Sequence, residues 1–86
     1  MPIISMFYGI IISMYYSDHM PPHFHAKYQD YSAEYDLDGN ILTGTMHKGK
    51  HKIIAAWAEI HREDLEADWE MCRAKLTPMK IDGVRF

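Results

Sequence analysis

The sequence predicts an α+β domain: an antiparallel sheet of three to four strands in meander order, with a C-terminal long or kinked helix packed on its apolar face. Three observations carry this. Apolar residues alternate in steps of two from Ile3 to Tyr16, short strand-like runs separated by two turn signals follow from His23 to Met46, and from about Lys50 the apolar spacing becomes helical. A chain of 86 residues holds one core. The expected domain runs over 1–76, with strands in about 3–46 and helix in about 50–76, and 77–86 is a C-terminal tail.

Within the first segment Ile4, Met6, Tyr8, Ile10, Ile12, Met14 and Tyr16 share one parity, while Ser5, Gly9 and Ser13 fall on the other. This is strand periodicity, bent or broken at Gly9, and one bent strand or two short ones fit equally. Ser17 to Pro22 is a loop, since two adjacent prolines donate no ladder hydrogen bonds. Strands follow at His23–Tyr28, Tyr31–Leu37 and Ile41–Met46, separated by Gln29-Asp30 and Asp38-Gly39-Asn40.

A two-residue loop at Gln29-Asp30 sets Tyr28 opposite Tyr31, Ala26 opposite Ala33 and Phe24 opposite Tyr35 on an apolar face. The other face then pairs Lys27 with Ser32, His25 with Glu34 and His23 with Asp36. A loop at Gly39-Asn40 pairs Leu37 with Leu42, Asp36 with Thr43 and Glu34 with Thr45. Both hairpins sort the same residues to the same sides.

Beyond Lys50, the residues Ile53, Trp57, Ile60, Leu65, Trp69, Cys72 and Leu76 form an amphipathic stripe. One step of five falls at His61-Arg62-Glu63-Asp64, where a kink or a break between two helices is expected. Both tryptophans are expected in the core, and Thr77-Pro78 ends the helix.

Composition narrows the classes. With 48% hydrophobic and 13% aromatic residues, a packed core is expected and disorder is not. The single Cys72 rules out an internal disulfide and fits a reducing compartment. The first sixteen residues lack a basic region and a cleavage site, and they are too short for a membrane span. A cytoplasmic location is expected. A net charge of −3 argues against general affinity for nucleic acid.

The chemistry concentrates in Asp18-His19-Met20-Pro21-Pro22-His23-Phe24-His25. His23 and His25 lie two apart on a strand and share a face with Glu34 and Asp36. A carboxylate beside an imidazole suits general acid–base work, which makes His23, His25, Glu34 and Asp36 the catalytic candidates. His19, His23 and His25 are the alternative as ligands of a divalent metal such as zinc, and no other cofactor is implied. The same pattern also describes a solvated sheet face with cross-strand charge pairs. A second group, Lys48, Lys50 and Lys52 at the start of the helix, is the phosphate-binding candidate.

The opening Met1–Tyr15, the Asp18–His25 motif and Trp57…Ile60-His61-Arg62-Glu63…Trp69-Glu70 resemble the bacterial domain-of-unknown-function family 4160 across essentially the whole chain. Relative to that family, Ser5 and Ser13 stand where Arg is frequent, and Gln29-Asp30 where Gly-Gly is frequent. The resemblance implies a small protein encoded beside another small protein, an arrangement like a toxin–antitoxin pair. The expected function is therefore a partner-dependent module with RNase-type histidine chemistry. A small protein encoded nearby is the expected partner, RNA a further one, and the tail from Met79 to Phe86 the expected docking segment. A metal-binding protein or a non-catalytic interaction domain is the alternative.

Overall fold

The N-terminal apolar run folds as two strands because Tyr8 and Gly9 take φ of 49° and 77°. Positive φ at both central residues makes a two-residue turn whose twist matches the flanking strands. The computed structural model, which describes residues 2–85, contains β1 (Ile3–Phe7), β2 (Ile10–Ser13), β3 (His23–Tyr28), β4 (Tyr31–Asp36), β5 (Ile41–Thr45), α1 (Lys48–Ile60) and α2 (Arg62–Arg73). Met1 and Phe86, the outer ends of the expected domain and tail, lie outside the described residues. The strands form one antiparallel sheet in the order β1-β2-β3-β4-β5. The α+β meander is as expected, with five strands in place of three to four and two helices in place of one.

Register tells where the sequence pattern is sufficient. All six expected β3–β4 pairs are present, from His23 opposite Asp36 to Tyr28 opposite Tyr31. The β4–β5 pairing differs by two residues: Glu34 faces Thr43, and Ser32 faces Thr45. The cause is the turn. Asp36 Oδ1 accepts hydrogen bonds from the backbone N–H of Asp38 at 3.0 Å and of Asn40 at 2.9 Å, closing a longer loop than Gly39-Asn40 alone. Leu37 is consequently in the core, while Leu42 is exposed.

A second difference lies in β1, where the register shifts between Ile3 and Ser5. The extra residue reverses the alternation, so Phe7 replaces Met6 on the inner face. Ile4, Phe7, Ile10, Ile12, Met14, Phe24, Ala26 and Tyr35 present that face to Ile54, Trp57, Leu65 and Trp69. Trp57 is the centre of this layer, with its ring 5.2 Å from Phe7 and 5.6 Å from Phe24.

The helices break at the irregular step. His61, with φ −107° and ψ 26°, ends α1 and begins α2. Of the expected stripe, Ile60 and Leu76 are exposed, because Ile60 precedes the break and Leu76 lies beyond the end of α2.

The tail is held by its own domain. Met79 N–H donates to Asp68 Oδ1 at 2.9 Å, Ile81 N–H to the Ile4 carbonyl at 2.7 Å, and Trp57 Nε1–H to the Asp82 carbonyl at 2.8 Å. Ile81 is buried. Residues 79–82 therefore pack along the β1 side of the sheet. Among the described residues, no helix is long and apolar enough to cross a membrane.

Candidate functional site

The β2–β3 loop folds back over the start of β3. Ser17, with φ 53°, directs its N–H to the Cys72 carbonyl at 3.2 Å, which ties the loop to the end of α2. Trp69 of α2 packs 5.3 Å from the His23 ring, and His19 stacks on it at 4.9 Å. His23 is thereby fully buried, although its strand parity puts it on the face away from Phe24.

This fold brings Asp18 onto both strand histidines. Its Oδ2 lies 2.9 Å from His23 Nε2 and 3.1 Å from His25 Nε2. Glu34, which the register sets opposite His25, reaches diagonally across the strands and places Oε1 3.5 Å from His23 Nε2. The Tyr15 ring meets His25 edge-on at 4.4 Å. His25 and Glu34 also line an open groove on the sheet face away from the helices, with Ser13, Tyr15, Lys27 and Thr43.

The proton arithmetic of His23 is restrictive. Its Nδ1 lies 2.7 Å from the Pro21 carbonyl, which can only accept, so Nδ1 carries the hydrogen. A neutral imidazole in that tautomer turns a bare Nε2 lone pair toward two carboxylates. A second proton on His23, or a metal cation among these atoms, resolves the contact. Burial pushes the Asp18 carboxyl up. The hydrogen bonds from His25 and the His19 N–H, together with His23, outweigh that and hold it below its ordinary value.

Two triads of ligand atoms, each within 4.8 Å, share His23: Asp18, His23 and His25, and separately His19, His23 and Glu34. The expected metal set of His19, His23 and His25 is thus divided between them. Of the catalytic candidates, His23, His25 and Glu34 come together. Asp36 does not, because its Oδ1 and Oδ2 are engaged by the β4–β5 turn, including Asn40 Nδ2 at 3.2 Å. Asp18 was absent from the sequence-derived candidates, although it stands inside the motif. Spacing alone does not show which loop carboxylate folds back.

The lysines lie elsewhere. Lys50 Nζ sits 5.1 Å from the Tyr28 ring and 5.9 Å from that of Tyr8. Tyr28 is at the far end of β3 from His23, roughly 17 Å along the strand. Within the chain, Lys50 therefore does not hold a phosphate for the histidine pair. The first N–H groups of α1 are also taken, since His47 Nδ1 accepts from Gly49 N–H at 3.1 Å and Lys50 N–H at 3.3 Å.

Fold and site together define a small α+β meander domain whose β2–β3 loop closes a histidine–carboxylate cluster. The family model described as Domain of unknown function (DUF4160) matches residues 9–70, and the chain belongs to that family. The match spans β2 to α2 and includes every residue of the cluster. No curated protein and no solved structure matches the chain.

Proposed function

We propose that this domain binds a divalent transition metal, zinc by its donor set, through Asp18 Oδ2, His23 Nε2 and His25 Nε2. The observation that carries the reading is the Nδ1–H of His23 on the Pro21 carbonyl. A histidine ligand characteristically donates its other ring N–H to a backbone carbonyl, which fixes the tautomer and aims the free nitrogen at the metal.

The spacing supports the same reading. Donors at zinc-ligand distances in a tetrahedron lie about 3.3 Å from one another. The contacts of 2.9 Å and 3.1 Å therefore need to open by only a few tenths of an ångström. Two imidazoles and one carboxylate make a borderline N/O set that suits zinc over magnesium or calcium. Three protein ligands would leave a coordination position open, and Glu34, with Oε1 3.5 Å from His23 Nε2, is the further carboxylate of the cluster. The partly exposed His25 and Glu34 open this side of the site to the groove.

Elemental analysis of untagged protein, equilibrated with zinc and then dialysed, tests the reading. One zinc per chain is expected. Asp18→Asn should lower affinity at least about tenfold, the scale of a lost or misoriented ligand. Metal-free wild-type protein after this treatment would refute the proposal.

A further inference from the structure

A cavity of about 290 Å³ lies between α2 and the tail, with none of the histidine-cluster residues in its lining. Asp64, Ala67 and Asp68 line it from α2, three and four residues apart on one helix face. Met79 and Ile81 line it from the tail, and His61 from the junction of the two helices. His61 Nδ1 stands 3.2 Å from Asp64 Oδ2 and so holds that carboxylate beside the ring.

Asp68 is the unusual member of this lining. It is 1% exposed, and Met79 N–H satisfies only its Oδ1, at 2.9 Å. Oδ2 has no hydrogen-bond partner among the described residues. Buried polar atoms left in that state are destabilising and few in a folded domain, so each calls for an explanation. Burial, reinforced by Asp64, pushes the Asp68 carboxyl above its ordinary value, the direction expected of an acid with no cation beside it. Lys80 also lines the cavity, but its ammonium donates to the Ile3 carbonyl.

From this arrangement we infer that the cavity binds a primary alkylammonium group, with N–H donors on Asp68 Oδ2 and the Asp64 carboxylate and the carbon chain along Ala67, Met79 and Ile81. A metal ion fits less well. Among the described residues, the ligand atoms that converge closely enough to hold one belong to the histidine cluster, and neither Asp64 nor Asp68 is among them. Spaced carboxylates beside an apolar wall suit a cation that carries three N–H donors on an aliphatic stem. The volume lies at the small end of ligand pockets, which suits one amine or one lysine side chain.

The test is an NMR titration of the full chain with n-butylamine at pH 7, read on the Ala67 and Met79 amides. Saturable shifts of both are expected. Asp68→Asn keeps an acceptor for Met79 N–H and removes the charge, and it should weaken binding at least about tenfold, the scale of a lost charge-assisted hydrogen bond. Glu63→Gln removes one charge from the same helix outside the cavity lining and should bind as wild type does. Tetramethylammonium, a cation without N–H donors, should bind poorly. Nα-acetyl-lysine methylamide separates the two sources of the group. Binding at least as tight as that of butylamine identifies a partner protein's lysine, and weaker binding a free amine. No saturable shift with either amine would overturn the inference. So would unchanged binding by folded Asp68→Asn, an equal loss in Glu63→Gln, or equal binding of tetramethylammonium.

Discussion

His23 and Pro21 are joined by a 2.7 Å hydrogen bond from Nδ1–H to the backbone carbonyl, and this bond decides which ring nitrogen meets Asp18. The proline is two residues upstream, so the same segment that ends the loop also orients the imidazole. Burial under Trp69 and His19 then keeps the ring where that bond places it.

His23→Ala should lower stability by about 1–3 kcal/mol in metal-free protein. It leaves a cavity and removes the partner of two half-buried carboxylates. Urea denaturation read by tryptophan fluorescence measures this, and an unchanged midpoint would show that the cluster contributes nothing to the fold.

Asp68 provides the pH prediction. It is buried, its Oδ2 has no hydrogen-bond partner among the described residues, and burial raises its carboxyl above the ordinary value, opposed by Met79 N–H and reinforced by Asp64. A raised carboxyl stabilises the fold fully below the unfolded value of 3.8 and loses that contribution as pH rises through the folded value. Asp68→Asn keeps an acceptor for Met79 N–H. It should therefore be more stable than wild type at pH 7, with the advantage shrinking toward pH 4. Parallel denaturation curves at the two pH values check this, and an advantage that grows on acidification would contradict it.

The tail can be tested through Trp57. Trp57→Phe keeps most of the ring but removes the N–H that holds the Asp82 carbonyl. A loss of about 1–2 kcal/mol is expected. The Ile81 amide, bonded to the Ile4 carbonyl, should exchange faster with solvent than in wild type. Undiminished protection of that amide would show the tail is held by other contacts.

Gly44 is the residue of β5 least tolerant of change. Its φ is 88°, and an added Cβ would lie 2.8 Å from Ala33 Cα and closer still to the Ser32 carbonyl oxygen. Both neighbours are backbone. Gly44→Ala should cost at least about 2 kcal/mol, visible as a lower thermal midpoint.

These cases show what the sequence pattern carries. The β3–β4 register was readable residue by residue because tyrosines flank a two-residue loop and apolar and polar side chains alternate without exception. The β1 bulge was hidden, since Met6 and Phe7 are both apolar and either parity reads as a strand. The β4–β5 register depended on Asp36 turning its carboxylate to the loop amides, a choice alternation does not encode. That same choice removed Asp36 from the site, and a loop closure invisible to spacing put Asp18 there instead. The lysines, adjacent in sequence to β5, were separated from the histidines by the length of β3.

The central claim is that Asp18, His23 and His25 form one metal site, and cobalt binding tests it most directly. Titration of untagged, metal-free protein with Co²⁺ should produce visible ligand-field absorption that saturates at one equivalent and is displaced by Zn²⁺. The folded Asp18→Asn and His25→Ala variants should each lose most of that absorption. No saturable absorption from the wild type, or absorption unchanged in both variants, would contradict the account.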